Sequence, residues 1–192
     1  MEKHERQLVV DQLNASRDRI LLTVEGLSPE QWAFRPAEGR WSIGECLEHV
    51  IRVENRVRDL IANKLRDEKP QPEKRLSADQ AKTRDAEATN AVLDRSAPRQ
   101  APEPVRPTGL WPTPGDLLAE FRRCRSATSE FAASTQGDLR SYFHPHGALG
   151  EIDCYQWLIL LSLHGARHAE QMQEVKSAPG FPQTTGLSQS QK

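Results

Sequence analysis

From Glu151 to Lys176 the chain reads EIDCYQWLILLSLHGARHAEQMQEVK, its longest apolar segment, and His164 and His168 stand four residues apart within it. Residues at i and i+4 share one helix face, with Cβ atoms about 5–6 Å apart. Two imidazoles so placed can reach a single ion. Trp157, Leu160, Leu161 and Leu163 extend the same side of the predicted helix inward. Polar groups buried in such a stripe need partners, because burial without a hydrogen bond costs free energy. A metal ion is one such partner.

The remaining composition narrows the alternatives. A chain of 192 residues is long enough for one domain with a sizeable core. A formal net charge of -1, with 28% charged and 36% hydrophobic residues, gives no basic surface for nucleic acid and no acidic tail. The N-terminus, MEKHERQ, carries no apolar signal region, and Cys154–Leu163 is too short to span a bilayer, which takes about 20 apolar residues. A soluble, cytoplasmic protein is predicted. Cys46, Cys124 and Cys154 are odd in number and far apart, which points to free thiols rather than a disulfide framework. Few β-branched alternations argue for a sheet.

Periodicity predicts helices along most of the chain. Leu8, Val9, Gln12, Leu13, Ser16, Ile20, Val24 and Leu27 recur at three- and four-residue steps, giving a first helix from about residue 4 to Glu25, closed by Gly26. Ser28-Pro29-Glu30-Gln31 starts a short turn. The connector to Arg40 reads as a loop pinned by Trp32 and Phe34. Ser42-Ile43-Gly44-Glu45 is a capping box that opens the second long helix, which continues through Leu47, Val50, Val57 and Ile61 and carries His49 two turns in. Eight of the thirteen prolines then fall between Lys69 and Pro114. Ser77-Ala78-Asp79-Gln80 caps a short, alanine-faced helix to about Asp94, and the rest of this stretch is a proline-stiffened strap anchored by Trp111. Thr113-Pro114-Gly115-Asp116 opens the third long helix, ending near Gly137. GDLRSYFHPHGALG reads as a loop, and the polar tail SAPGFPQTTGLSQSQK, residues 177–192, as mobile.

Four long helices with one long crossover between the second and third predict an all-α four-helix bundle spanning residues 1–176, with up-down-down-up order. The second and fourth helices are then antiparallel. His49 lies seven residues from the start of one, while His168 and His164 lie eight and twelve from the end of the other. At about 1.5 Å per residue these depths are roughly 10, 12 and 18 Å, close enough for the three side chains to converge.

WSIGECLEHV, the strap with its Pro-x-Gly-x-Trp-Pro-x-Pro-like segment, and HPHGALGEIDCYQWLILLSLHGARHAEQM together resemble the DinB-like (YfiT-like) superfamily over nearly the whole chain up to Lys176. The resemblance implies an up-down-down-up bundle with a metal triad at His49, His164 and His168, and with Gln171 beside the site rather than in it. It also implies metal-dependent hydrolase or thiol-dependent transferase or isomerase activity, without choosing between them.

Three neutral imidazoles suit zinc or nickel and leave positions open for water, a substrate atom or the thiolate of a low-molecular-weight thiol. The zinc-protease arrangement H-E-x-x-H is excluded, because Gly165 follows the first histidine. A general base would come from elsewhere. Glu45, on the face of His49, is the candidate, although its capping-box role accounts for it better. Cys46, one turn before His49, is either a substitute ligand or a small buried hydrophobe. His4, His144 and His146 are expected to be exposed or structural. Arg35, Arg40, Trp32 and Trp41 fall near the predicted mouth, fitting an anionic small thiol or organic acid. Against the enzyme stand a non-catalytic metal-binding bundle and a homodimer joined through the apolar face of the fourth helix.

Overall fold

The capping residues read from the sequence open helices where they stand. The computed structural model describes residues 1–96 and 100–183. Its helices are α1 (Lys3–Val24), α2 (Pro29–Ala33), α3 (Ile43–Asp67), α4 (Ala78–Leu93), α5 (Pro114–Ser134) and α6 (Cys154–Lys176). Ser28, Ser42, Ser77 and Thr113 each accept a hydrogen bond from the third backbone N–H that follows, satisfying one of the donors that a helix start leaves unpaired. Gly26 closes α1 with a φ of 69°, a conformation that glycine adopts without steric penalty.

Contacts along the four long helices give their directions. Ser16 donates to the Ser162 carbonyl and Gln173 to Thr23, so α1 and α6 run the same way. Cys124 meets Asn55 and Arg58 meets Thr128, so α3 and α5 also run together. Arg6 reaches the Ala132 carbonyl while Arg125 reaches that of Leu13, which sets α1 against α5. The bundle is therefore up, down, down, up. The chain from 68 to 113 must travel its full length, and α4 uses the journey to pack on α6 through Ala88, Val92 and Leu160.

The core has two apolar halves. Ile20, Ile43, Leu47, Ile51, Phe121 and Met172 belong to one; Val9, Leu13, Ile61, Tyr155 and Leu158 belong to the other. Between them lies a polar layer in which Arg125 and Glu54, each 1% exposed, are joined by three guanidinium–carboxylate contacts of 2.9–3.2 Å. Arg125 also donates to the Leu13 carbonyl and to Ser16 Oγ, both at 2.6 Å. Gly165 makes room for this, since a Cβ there would lie 3.0 Å from an Arg125 nitrogen. The residue that breaks the zinc-protease pattern thus sits where a side chain would crowd Arg125 and Ser16. A second buried arginine, Arg140, ties Glu5, Asp85 and Asp153 together at the far end of the bundle.

Three expectations need correction. The segment before α6 is a β-hairpin, not a loop: β1 (Phe143–His146) pairs antiparallel with β2 (Gly150–Asp153), so the fold is not purely helical. Glu151–Asp153 accordingly belongs to β2, and α6 starts one residue later under an Asp153–Gln156 capping box. Trp157 and Leu163 are only partly buried and face α4 and the hairpin, with Trp157 Nε1 donating to the His144 carbonyl. Of the tail expected to be mobile, residues 177–183 are instead held against the bundle. Phe181 packs edge-on against Phe34, and Gln31 donates to the Pro182 carbonyl, which holds the chain down to that point. Residues 184–192 lie outside the described residues. No helix among the described residues is long and apolar enough to cross a membrane.

Candidate metal centre

Antiparallel packing of α3 against α6 brings the three histidines to one depth. One nitrogen from each of His49, His164 and His168 lies within 4.8 Å of the other two. Ring centroids are 4.4 Å apart for His164 and His168, 4.8 Å for His49 and His168, and 5.1 Å for His49 and His164. His49 and His168 are buried, and the Trp41 ring covers both, at 4.9 and 6.4 Å between centroids.

The hydrogen bonds set the ring chemistry. His49 Nδ1 lies 2.7 Å from the carbonyl of Val105, on the strap, and must donate to it. His168 Nδ1 lies 2.9 Å from Gln171 Oε1 and is the donor there too. Both rings therefore present an unprotonated Nε2 toward the cluster. His164 Nε2 stands 3.1 Å from His168 Nε2, while His164 Nδ1 is buried with no partner. The Nε2–H tautomer of His164 donates to His168 and leaves a bare Nδ1, whereas the Nδ1–H tautomer leaves that N–H without an acceptor and sets two Nε2 lone pairs face to face. A cation shared by the rings would take up the facing Nε2 lone pairs, with His164 in its Nδ1–H form. Zinc–nitrogen bonds of 2.0–2.1 Å put ligand nitrogens about 3.3 Å apart, so small ring movements suffice. The donor set fits a divalent metal.

Electrostatics favour the neutral, ligating form. Burial lowers the pKa of all three rings. For His49 the bond to Val105 opposes the shift in part. His164 falls well below the usual value, burial being reinforced by the neighbouring His168 and His49, and His168 falls to about 3. The unfolded imidazole titrates near 6.5, so as pH drops below that the unfolded chain takes up protons that the folded, metal-free protein refuses. Stability is full above about pH 6.5 and declines from there toward pH 3. In chelator-treated protein the urea midpoint should be lower at pH 5 than at pH 7.5, by about 2 kcal/mol of unfolding free energy for His168 alone. His168→Ala should show a shallower decline.

Other singled-out residues stand apart from the cluster. Glu45 accepts from the Ser42 N–H and is gripped by Arg35 through two nitrogens. Burial would raise its pKa, but these partners outweigh it and hold the carboxyl below its usual range, which makes it a weak base. Cys46 is fully buried, its thiol pushed up to about 12 chiefly by burial, as suits a small hydrophobe. His144 and His146 lie on β1 against Trp157, at the end of the bundle where α6 begins, and His4 is exposed. Trp32 belongs to the core, Arg35 is matched by Glu45, and Arg40 lies 3.8 Å from Glu174, which Arg95 also holds. The contact of His49 with the strap was not foreseen; the proline-rich stretch offered no signal of where its carbonyls point.

Known proteins share this architecture. YfiT from Bacillus subtilis, described as "a probable metal-dependent hydrolase with an unusual four-helix bundle topology", superposes with a TM-score of 0.62 over 95% of this chain and 91% of its own. At 14% identity that likeness concerns the fold alone. The uncharacterized protein YuaE of Bacillus subtilis (strain 168) is 25% identical over 163 residues, covering 85% of this chain and 94% of the relative. The sequence profile of the DinB superfamily matches residues 12–172, a span that holds His49, His164 and His168, all of α3 and α5 and most of α1 and α6, and the chain belongs to that superfamily.

Proposed function

We propose that the protein is a metal-dependent enzyme acting on a small molecule, with a divalent cation, zinc or nickel, held by His49, His164 and His168. The observation that carries this reading is the arrangement of the rings: His49, His164 and His168 each turn one nitrogen into a common cluster, and two of the rings are fixed by Nδ1 bonds to oxygen. Three protein ligands leave coordination positions for a substrate, and a bound cation supplies Lewis-acid activation there. Hydrolysis and thiol S-transfer use the same ligands. The engagement of Glu45 with Arg35 favours transfer, because a cation can hold a thiolate without a separate carboxylate base, and a low-molecular-weight thiol is then a co-substrate.

A non-catalytic metal staple is the second reading, favoured by the cover that Trp41 and the strap place over the rings. A homodimer is a third reading, although α1, α3 and α4 pack on α6 and none of the large apolar side chains of that helix is exposed.

The test is a screen of purified protein for hydrolysis of activated esters and amides, and for conjugation of small thiols to electrophiles. Each assay is run as purified, after chelation, and after adding back zinc or nickel. Turnover lost on chelation and restored by one metal supports the enzyme. Stoichiometric metal without turnover, coupled to a steep fall in melting temperature on chelation, supports the staple.

A further inference from the structure

The strap between α4 and α5 is latched onto α3 by a carboxylate placed next to the triad. Glu48, only 3% exposed, accepts from the Thr108 N–H at 2.7 Å and the Thr108 hydroxyl at 3.1 Å with one oxygen, and from the Gly109 N–H at 2.9 Å with the other. Gly109 has a φ of 76°, which turns two successive N–H groups toward one anion. One turn on, Arg52 donates to the Thr108 hydroxyl at 3.1 Å and the Pro104 carbonyl at 3.2 Å, and stands 3.7 Å from Glu48. Between these two grips His49 donates to the Val105 carbonyl.

A buried carboxylate is costly unless its acceptor sites are filled. Here the strap backbone does much of the filling, so lifting the strap would strip Glu48 of the bonds that justify its burial. The same movement would take the Val105 carbonyl from His49. Sequence order explains the link: Glu48 and His49 are neighbours on α3, and their partners lie three and four residues apart on the strap.

We propose that Glu48 is a positioning residue for the triad: by clamping Thr108 and Gly109 it holds the Val105 carbonyl that fixes the His49 tautomer and ring. The metal consequence rests on the reading of the triad given above; the tautomer consequence does not. Because a correctly held His49 favours a bound cation, a bound cation must favour the docked strap to the same extent.

The test uses zinc as the probe, with Glu48→Ala and, should that variant fold poorly, Glu48→Gln, which keeps one acceptor. Ile61→Val, a core change away from the strap, controls for general destabilisation. Wild-type protein should show the Nδ1–H tautomer of His49 by nitrogen NMR and slower amide exchange at Thr108 and Gly109 when zinc is added. Glu48→Ala should give a mixed tautomer, fast exchange at both amides, and zinc binding weaker by about 10- to 100-fold, the range for losing a ligand's supporting partner. Glu48→Gln should fall between, and Ile61→Val should match wild type. An unchanged His49 tautomer in both Glu48 variants overturns the proposal, as does zinc affinity within twofold of wild type. If wild-type protein binds no zinc, the metal reading fails, while the tautomer and exchange data still decide the role of Glu48.

Discussion

Replacing Glu54 with leucine should destabilise the protein by about 3–5 kcal/mol, the range for breaking a buried ion pair from one side. Arg125 would keep its bonds to Leu13 and Ser16 but lose every carboxylate contact, leaving a guanidinium charge in a site that is 1% exposed. Arginine does not escape by losing its proton, so the charge must be hydrated or the layer must open. Removing both partners is a different experiment. In Glu54→Leu combined with Arg125→Met no charge remains, and the stability should return to within about 1–2 kcal/mol of wild type, because apolar replacements of a buried pair are often neutral or better. Urea unfolding of the two single variants and the double variant closes the cycle. If Glu54→Leu costs under 1 kcal/mol, the pair is hydrated in solution and the polar layer does not seal the bundle.

This pair also marks the limit of what the sequence discloses. Glu54 falls between Val50 and Val57, and Arg125 between Phe121 and Thr128, each at core spacing within an apolar stripe. A charge at such a position signals a buried partner, but naming the partner requires the register between two helices far apart in sequence. Helix starts were legible because a cap is local: Ser42 and Glu45 satisfy each other within four residues. The Asp153–Gln156 box is equally local, but the apolar run hid it, since strand β2 and α6 form one continuous stretch of similar composition. The convergence of the three rings was legible for a geometric reason. His49 and the pair on α6 sit at similar distances from helix ends that meet, and connection lengths alone put those ends together. The strap lay beyond this logic, because its docking depends on backbone groups of Val105, Thr108 and Gly109, which side-chain patterns do not report.

His164→Ala should abolish stoichiometric metal, with a large loss of stability in the metal-loaded state and almost none in the metal-free one. Structural zinc sites bind with about 10–16 kcal/mol of apparent free energy, so losing one protein ligand of three costs about 3–5 kcal/mol, or roughly hundreds- to thousands-fold in affinity. His49 and His168 alone would then hold no metal through purification, and elemental analysis should fall from near one equivalent to background. In the metal-loaded comparison the wild type should melt well above the variant, because ligand binding to the folded state adds stability by mass action. After chelation the gap should nearly vanish. Metal-free wild type carries a buried His164 Nδ1 without a partner, a burden of about 1–3 kcal/mol that alanine removes. That relief offsets the cavity left by the missing ring. A side chain present only for packing would behave otherwise: its loss would destabilise by the same amount with and without chelator. Equal melting deficits in both states, or full metal content in His164→Ala, would show that the three rings converge for a structural reason and that the reaction centre lies elsewhere.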